Sequence, residues 1–340
     1  MKPYFTLSKK IVLTQYEKVK ELCDVVSYSS KTNPLVTPIL EENTGALFSV
    51  HLINELKHVK DKSRVLFLAQ ALTQESIKEL IELGVCRFVV DNESDLNELV
   101  KFLNENDVEV SLMLRVKLKE NTLKTERFFV FGLPSETVNN KIRELSKQKG
   151  VKALGIHFHR KTQNMSEWDL VYDFTNIVSN DVLKLVKTVN IGGGLPSEYA
   201  NTNVAVLEGI YRRIREFKEF LNEKNIQLMI EPGRFIAAPA GKLVTRIIGK
   251  HENNLIVNAS IYNSDLDAVI VPVKLLVEGE LSEGTPFVIK GVTPCSVDLF
   301  RYRVYLENPK VGDELVFLNA GAYNFASDFC DLEKLETKII

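Results

Sequence analysis

Lys31 stands at the end of an apolar run, Val25-Val26-Ser27-Tyr28-Ser29-Ser30, and is followed by Thr32-Asn33-Pro34. A lysine at the mouth of a strand is ordinarily a solvated loop residue. It becomes a candidate nucleophile when the chain supplies what an imine-forming amine needs: an anion cradle, a counter-charge and a surface to hold a ring. Asn190-Ile191-Gly192-Gly193-Gly194-Leu195-Pro196 puts three glycines after an apolar strand, where backbone N–H groups can approach a phosphate. The plain alternative is a tight turn. Glu231, in Glu231-Pro232-Gly233-Arg234-Phe235, ends another apolar run, where a carboxylate is costly without a partner. A cationic ring nitrogen would serve, and so would an arginine. Arg234 can complete a phosphate site with its fork of donors, or lie on the surface.

His157 and His159, in Gly155-Ile156-His157-Phe158-His159, are two apart on one strand and point the same way. That suits a metal pair, but no third ligand at sensible spacing accompanies them, so no metal is expected. Stacking of one imidazole on an aromatic ring is the better use. Cys295, in Gly291-Val292-Thr293-Pro294-Cys295-Ser296-Val297-Asp298, sits in a turn. A lone cysteine is more often structural; near a cofactor and Asp298 it can donate a proton. Tyr323, in Gly321-Ala322-Tyr323, is either core or a hydroxyl that reaches a phosphate.

These groups must be positioned by something. Eight apolar, β-branched runs occur at 25–30, 45–50, 65–70, 87–92, 108–116, 151–159, 187–193 and 226–232, with helical patterns between them. The clearest helix spans 73–83, with Ile77, Leu80, Ile81 and Leu83 on one face and Gly84 as its stop. Residues 94–104 and 205–223 read the same way. Uninterrupted apolar strands suit a parallel sheet buried on both faces. Eight βα units predict an α/β fold, a (β/α)8 TIM-like barrel over 8–240, with a doubly wound sheet as the alternative. In such a barrel Lys31, His157, His159, the three glycines and Glu231 all fall at the C-terminal strand ends, where barrel sites are built. That convergence is what pyridoxal phosphate requires, and it says more than any one group alone. From 241 to 340 the pattern changes to strands at 242–249, 254–258, 269–276, 286–290, 302–306 and 314–318 without long helices. This predicts an all-β C-terminal domain, which strand 3–7 can join.

The composition is that of a globular chain: 340 residues, 45% hydrophobic, 26% charged, net charge −2. No basic field is present to attract nucleic acid or anionic lipid. No apolar run is long enough to span a membrane, and the start, Met1-Lys2-Pro3-Tyr4-Phe5, lacks a signal-peptide core. Cys23, Cys86, Cys295 and Cys330 show no metal spacing and fit reduced thiols in a cytoplasm.

In this order the motifs resemble the fold-type III pyridoxal-phosphate decarboxylases, the ornithine, diaminopimelate and arginine decarboxylase superfamily, over nearly the whole chain. Ser30-Lys31-Thr32-Asn33 is similar to that family's cofactor-lysine motif. Phe158-His159 resembles its Phe-His, followed by a phosphate-contacting serine whose place is taken here by Thr162. The glycine loop, the Glu231-Pro232-Gly233-Arg234 stretch, Pro294-Cys295-Ser296-Val297-Asp298 and Gly321-Ala322-Tyr323 are similar to its remaining signatures. The resemblance implies decarboxylation of an amino acid. Lys31 carries the cofactor, Glu231 pairs with its ring nitrogen, and His159 stacks on the ring. Gly192, Gly193, Gly194, Arg234, Tyr323 and Thr162 hold the phosphate. Cys295 reprotonates the product, with Asp298, Ser296 and Arg115 on the substrate side and Glu55 and Arg115 as site or structural support. It also implies a head-to-tail homodimer in which the Cys295 loop comes from the neighbouring subunit.

The chain departs from the family at two positions where an acid would bind a substrate's distal ammonium: Ser296 follows the cysteine, and Ala259 stands in Asn258-Ala259-Ser260-Ile261-Tyr262. A further acidic position of the family, after Phe48, is Ser49. Arg160-Lys161 follows His159, and the chain is short for the family. The expected substrate therefore has a polar or carboxylate-bearing tail, or is a polyamine precursor. The alternatives are an alanine racemase-like enzyme, for which an arginine rather than Glu231 would be expected, and an inactive homologue that binds another protein. A single-barrel pyridoxal-phosphate carrier is disfavoured by the β domain.

Overall fold

The computed structural model describes residues 1–118, 131–324 and 326–340. The chain forms two compact units. One comprises Tyr16–Pro196 and Ala205–Gly233; the other comprises Met1–Gln15, Ser197–Val204 and Arg234–Ile340. The first strand and helix are β1 (Tyr4–Leu7) and α1 (Lys9–Leu22).

The larger unit is a closed barrel of eight parallel strands in chain order: β2 (Val25–Ser29), β3 (Leu47–Val50), β4 (Val65–Leu68), β5 (Arg87–Val90), β6 (Val110–Arg115), β7 (Val151–His157), β8 (Thr188–Asn190) and β9 (Gln227–Ile230). Closure comes from β9 pairing with β2, Val25 opposite Met229 and Val26 opposite Ile230. Leu66, Val89, Met113 and Met229 fill the interior as one layer, packed by Val25, Leu47 and Leu68. Each such side chain contributes about 1.5–3 kcal/mol of burial, and in barrels of this kind chemistry is built at the C-terminal rim.

The helices between strands are α2 (Val36–Asn43), α3 (Gln74–Glu82), α4 (Glu93–Glu105), α5 (Ser135–Leu145), α6 (Leu170–Ile177), α7 (Asn180–Leu183) and α8 (Leu207–Asn222). Helix α3 starts where Thr73 accepts the Ser76 N–H at 3.2 Å, buries Ile77 and Leu80, and stops before Gly84 at φ +96°. Helix α8 buries Ile210, Ile214, Phe217 and Leu221, the spacing of one helical face. Between β3 and β4 two 3-10 turns, Ile53–His58 and Lys62–Arg64, replace the expected helix.

The second unit carries α9 (Arg234–Ala240), then β10 (Gly241–His251), β11 (Asn254–Val257), the short helices α10 (Ile261–Ser264) and α11 (Asp267–Ile270), β12 (Leu276–Val277), β13 (Leu281–Lys290), β14 (Leu299–Tyr305), β15 (Glu314–Leu318) and β16 (Glu336–Ile339). The sheet runs β12-β15-β10-β11-β13-β14, and β1 pairs with β10 and β16. Tyr4 lies opposite Val244 in the antiparallel β1–β10 pair, so the first strand does join the β unit. The expected strand 269–276 is a correction: α11 and an extended stretch occupy most of it, and only its last residue enters β12. Asp267, held by Arg234, starts a turn there, and the β-branched Val269 and Ile270 are exposed rather than paired.

Candidate active site

Lys31 sits in a 3-10 turn, Ser30–Thr32, directly after β2. The turn is fixed from beneath. Ser30 Oγ and Thr37 Oγ1 are 2.9 Å apart, and the Tyr28 hydroxyl donates to the Asn33 carbonyl at 3.0 Å. The lysine reaches solvent at the barrel mouth, yet protein crowds its ammonium on most sides. That partial desolvation lowers its proton affinity; Glu231 and Glu55 oppose the shift and Arg115 adds to it. Glu55 closes the following turn, its Oε1 accepting the N–H groups of His51 and Leu52 at 3.0 Å each.

Glu231 follows β9 and is 4% exposed. Burial alone would raise its carboxyl, but His157, Ser49 and His51 together hold it at about 2. The Asn190 amide donates to Oε1 at 2.6 Å, and His157 Nε2 lies 3.1 Å from the same oxygen. The His157 contact is within ion-pair range but is not aligned as a hydrogen bond. Ser49 is braced by Ser27, their hydroxyls 2.8 Å apart.

His159 is half-buried beyond the end of β7. Burial, Arg115 and His157 press its imidazole down to about 3, so it is neutral near pH 7 and fit for stacking. The glycine loop packs against it. Gly192 has φ +67°, and a Cβ there would lie 2.9 Å from His159 Nδ1. Gly194 has φ +104°, and its Cβ would lie 2.5 Å from the Lys161 carbonyl. Larger residues are therefore excluded at both positions on sterics and backbone conformation. The Gly192 N–H donates to Asn190 Oδ1 at 2.9 Å, and the Glu231 N–H donates to the Gly192 carbonyl at 2.8 Å. Asn190 thus links the loop to the carboxylate. Asn164 N–H donates to the Gly194 carbonyl at 2.9 Å, joining the loop to the turn that carries half-buried Thr162. Arg115, at the end of β6, lies with its guanidinium 5.1 Å from the Phe131 ring centroid.

Arg160 and Lys161 do not add a free positive field. Arg160 is buried and donates to Asp173 Oδ2 at 2.5 Å and to the Glu167 carbonyl; Lys161 lies 3.4 Å from Glu167 Oε1.

In the β unit, Arg234 begins α9 and is 4% exposed. Both terminal nitrogens contact Asp267, NH2 donating to Oδ1 at 3.1 Å, and NH1 donates to the Tyr199 hydroxyl at 3.1 Å. Burial would lower its proton affinity, but Asp267 outweighs burial and raises it. The Tyr323 ring centroid is 4.9 Å from the guanidinium, so Arg234 and Tyr323 are brought together. Asp265, near the same pair, is buried rather than solvent-facing, and burial with Asp267 raises its carboxyl well above the usual range.

Cys295 is half-buried, with its sulfur 3.1 Å from the Tyr262 hydroxyl. That contact, then backbone N–H groups, lowers the thiol's proton affinity. Ser296 is exposed. Asp298 is 1% exposed and engaged from two sides: Oδ1 accepts the Ile261 N–H at the start of α10 at 2.9 Å, and Oδ2 accepts the Thr293 N–H at 3.0 Å and hydroxyl at 2.7 Å from its own loop. It ties the cysteine loop to the start of α10. Sequence reasoning assigned no role to Asn190, Ser49, His51, Tyr199, Tyr262 or Asp267. A polar residue closing a barrel strand was the available signal for the first three.

A profile described as "Pyridoxal-dependent decarboxylase, pyridoxal binding domain" matches residues 10–238. The chain belongs to the pyridoxal-dependent decarboxylase family. It is 24% identical over 362 residues to the probable ornithine decarboxylase of Dictyostelium discoideum, covering 95% of this chain and 76% of that one. It is also 24% identical over 345 residues to antizyme inhibitor 2 of Xenopus laevis, covering 91% and 73%. The solved lysine/ornithine decarboxylase of Vibrio vulnificus with cadaverine superposes with a TM-score of 0.82 at 22% identity, covering 99% of this chain and 94% of that one. The family's cofactor is pyridoxal phosphate. The barrel rim fits it: among the described residues, buried Thr32 Oγ1, His51 Nδ1, Glu55 Oε2 and both ring nitrogens of His157 have no hydrogen-bond partner, and such atoms are rare away from ligand sites.

Proposed function

We propose that this chain is a pyridoxal-phosphate-dependent amino-acid decarboxylase, with Lys31 binding the cofactor covalently. The observation that carries the reading is Glu231: a buried, ionised carboxylate on the rim that carries a lysine of lowered proton affinity. When bound, pyridoxal phosphate supplies the electron sink for loss of carbon dioxide. Lys31 presents the amine. Glu231 holds positive charge at the ring nitrogen, and neutral His159 offers a flat face to the ring. Gly192, Gly193, Gly194 and Thr162 take the phosphate. Arg115 gives the substrate carboxylate a half-buried cation. Cys295 returns a proton to the carbon that lost carbon dioxide, with Asp298 and Ser296 on the substrate side.

Glu231 speaks against the racemase reading. The inactive-homologue reading draws support from the likeness to antizyme inhibitor 2; Lys31, Glu231 and Cys295, all retained, speak against it. Buried Ala259 and exposed Ser296, where the family places acids, support a substrate tail that is not a simple ammonium. The paired Arg160 and Lys161 lend that no support. The four free thiols support a reducing, cytoplasmic setting, and among the described residues no helix is long and apolar enough to cross a membrane.

Purified protein should absorb in the visible, borohydride should fix the cofactor on Lys31, and a panel of amino acids should include one that releases carbon dioxide. An adduct on another lysine refutes the site; visible absorbance with no carbon dioxide from any candidate supports the inactive homologue. For the proposed homodimer with shared sites, mixing inactive Lys31→Ala with inactive Cys295→Ala should restore part of the activity. A fully active monomer rules that assembly out.

A further inference from the structure

The barrel has a second end. A cavity of about 440 Å³ lies there, and residues of all eight strands line it. Val25, Arg87, Thr188 and Gln227 are among them and are the first residues of their strands, so this is the mouth opposite Lys31 and Glu231. The sequence leaves the space open. Met113 and Met229 belong to the core layer, and side chains two apart on a strand share a face, so Ser111 and Gln227 point inward beneath them. Ser111 lies opposite Ala153 on β7. Barrels commonly stack bulky side chains in such layers; here a serine and an alanine sit side by side. A Cβ on Gly45, just before β3, would meet nothing within 4 Å. Gly45 and Gln227 are exposed, so the cavity opens to solvent. Its walls are apolar and its mouth is cationic. Asp24 is already matched: Lys218 Nζ is 3.4 Å from Oδ1, and the Leu228 N–H donates to Oδ2 at 2.8 Å. Lys20 donates to the Asp24 carbonyl and Arg87 to the Ser63 carbonyl, and among the described residues neither has a carboxylate within ion-pair distance.

We propose that the N-terminal mouth of the barrel is a second binding site, which takes a small amphiphilic anion: an aliphatic body against Leu47, Leu66, Met113 and Met229, and a carboxylate head at the cationic mouth. The volume is that of a small-molecule site. Water alone would leave the apolar walls wetted, whereas an aliphatic chain removes them from water. A cationic head would be repelled by Lys20 and Arg87. A face that served stability alone would be better filled by larger side chains at Ser111 and Ala153. The layer of Leu66, Val89, Met113 and Met229 lies between this cavity and the rim that carries Lys31, so the inference stands apart from the reaction proposed there.

The test titrates octanoate into the purified full-length protein by calorimetry, with octylamine as the probe of equal chain and opposite charge. Octanoate should saturate at one per chain and bind roughly tenfold tighter than octylamine. Replacing both Lys20→Gln and Arg87→Gln should abolish that preference. Ala153→Leu, which fills the cavity from within, should weaken octanoate by roughly tenfold or more. The location is read separately, from the methyl resonances of isotopically labelled methionine. Of the four methionines, Met113 and Met229 line the cavity and Met1 and Met165 do not, so octanoate should shift the first two alone. No saturable binding at millimolar octanoate overturns the proposal. So does octylamine binding equally well, or octanoate binding that leaves Met113 and Met229 unmoved. If Ala153→Leu does not fold, the methionine shifts and the Lys20/Arg87 double variant, altered only at the mouth, decide the question.

Discussion

Glu231 and Arg234 are three residues apart in sequence, both are 4% exposed, and each belongs to a different unit. Their charges are handled in opposite ways. Glu231 has no full countercharge in contact: the Asn190 amide donates to Oε1, and the His157 imidazole, 3.1 Å from the same oxygen, has its proton affinity lowered by burial. Arg234 is held by a full countercharge, Asp267, with Tyr199 beside it. Dipoles stabilise a buried ion yet leave its net charge for a ligand; a salt bridge satisfies the ion and cancels it. The barrel carboxylate is thus poised for a cation, whereas the arginine must give up or share a partner before it can take a phosphate.

The strongest way to break this contrast is to remove the countercharge. Asp267→Ala leaves Arg234 buried and unpaired, which should cost about 3–5 kcal/mol of stability, read from urea unfolding of the apoprotein. Asp265 supplies a built-in check. Burial and Asp267 raise its carboxyl well above the usual range, so loss of Asp267 favours its ionised form, which then compensates. Asp265→Asn alone should cost little, and the double variant should reach the upper end. Inorganic phosphate should stabilise Asp267→Ala more than wild type. An Asp267→Ala protein as stable as wild type with Asp265 already replaced would show that the pair is not what holds Arg234.

Glu231→Gln probes the other side. The amide keeps the shape and loses the charge, so cofactor should still bind while turnover falls about a hundredfold or more, the loss of one preorganised electrostatic contact of roughly 3 kcal/mol. Single-turnover carbon dioxide release measures it. Unchanged turnover would mean that the ring nitrogen draws nothing from this carboxylate.

The contrast also shows what a sequence can disclose. The barrel is legible because its strands are mostly buried and read as largely apolar runs, and Lys31, the glycines and Glu231 follow from their place at strand ends. The β3–β4 connection is not, since Glu55 closes a 3-10 turn through backbone N–H groups that carry no side-chain signal. Strand β16 is short and mostly exposed, so its Glu336-Thr337-Lys338-Ile339 pattern resembles a solvated tail until it pairs with β1. Asn190 looks like a turn residue and becomes a bridge only when the glycine loop folds back on Glu231. The Arg234–Asp267 pair spans 33 positions, and nothing local marks either partner for the other. Arg160 and Lys161 mislead for the same reason: their charges are plain in the sequence, and the carboxylates that neutralise them are not.

The smallest expected effect follows from keeping the partners of Glu231 neutral. His51, beyond β3, is lowered from 6.5 to about 4 by burial first and then by Lys31, although Glu231 pulls the other way. The unfolded chain therefore binds a proton below pH 6.5 that the folded chain refuses, so stability is fully present above that value and is lost as pH falls toward 4. Glu231 erodes stability in a separate, lower window: depressed from 4.5 to about 2, its contribution is present above 4.5 and fades as pH falls through 2. Measurements at pH 7 and pH 5 thus report on the histidines and leave the carboxylate out. Apoprotein unfolded in urea should be less stable at pH 5 than at pH 7, and His51→Gln should narrow that gap by on the order of 1 kcal/mol, because glutamine has no proton to refuse. His159, lowered to about 3, contributes to the same slope and leaves a residual gap in the variant. A gap unchanged by His51→Gln would mean that the folded protein admits the proton at His51. The rim would then hold a cationic imidazole beside Glu231, and the distinction between dipole partners and charged partners would fail at that position.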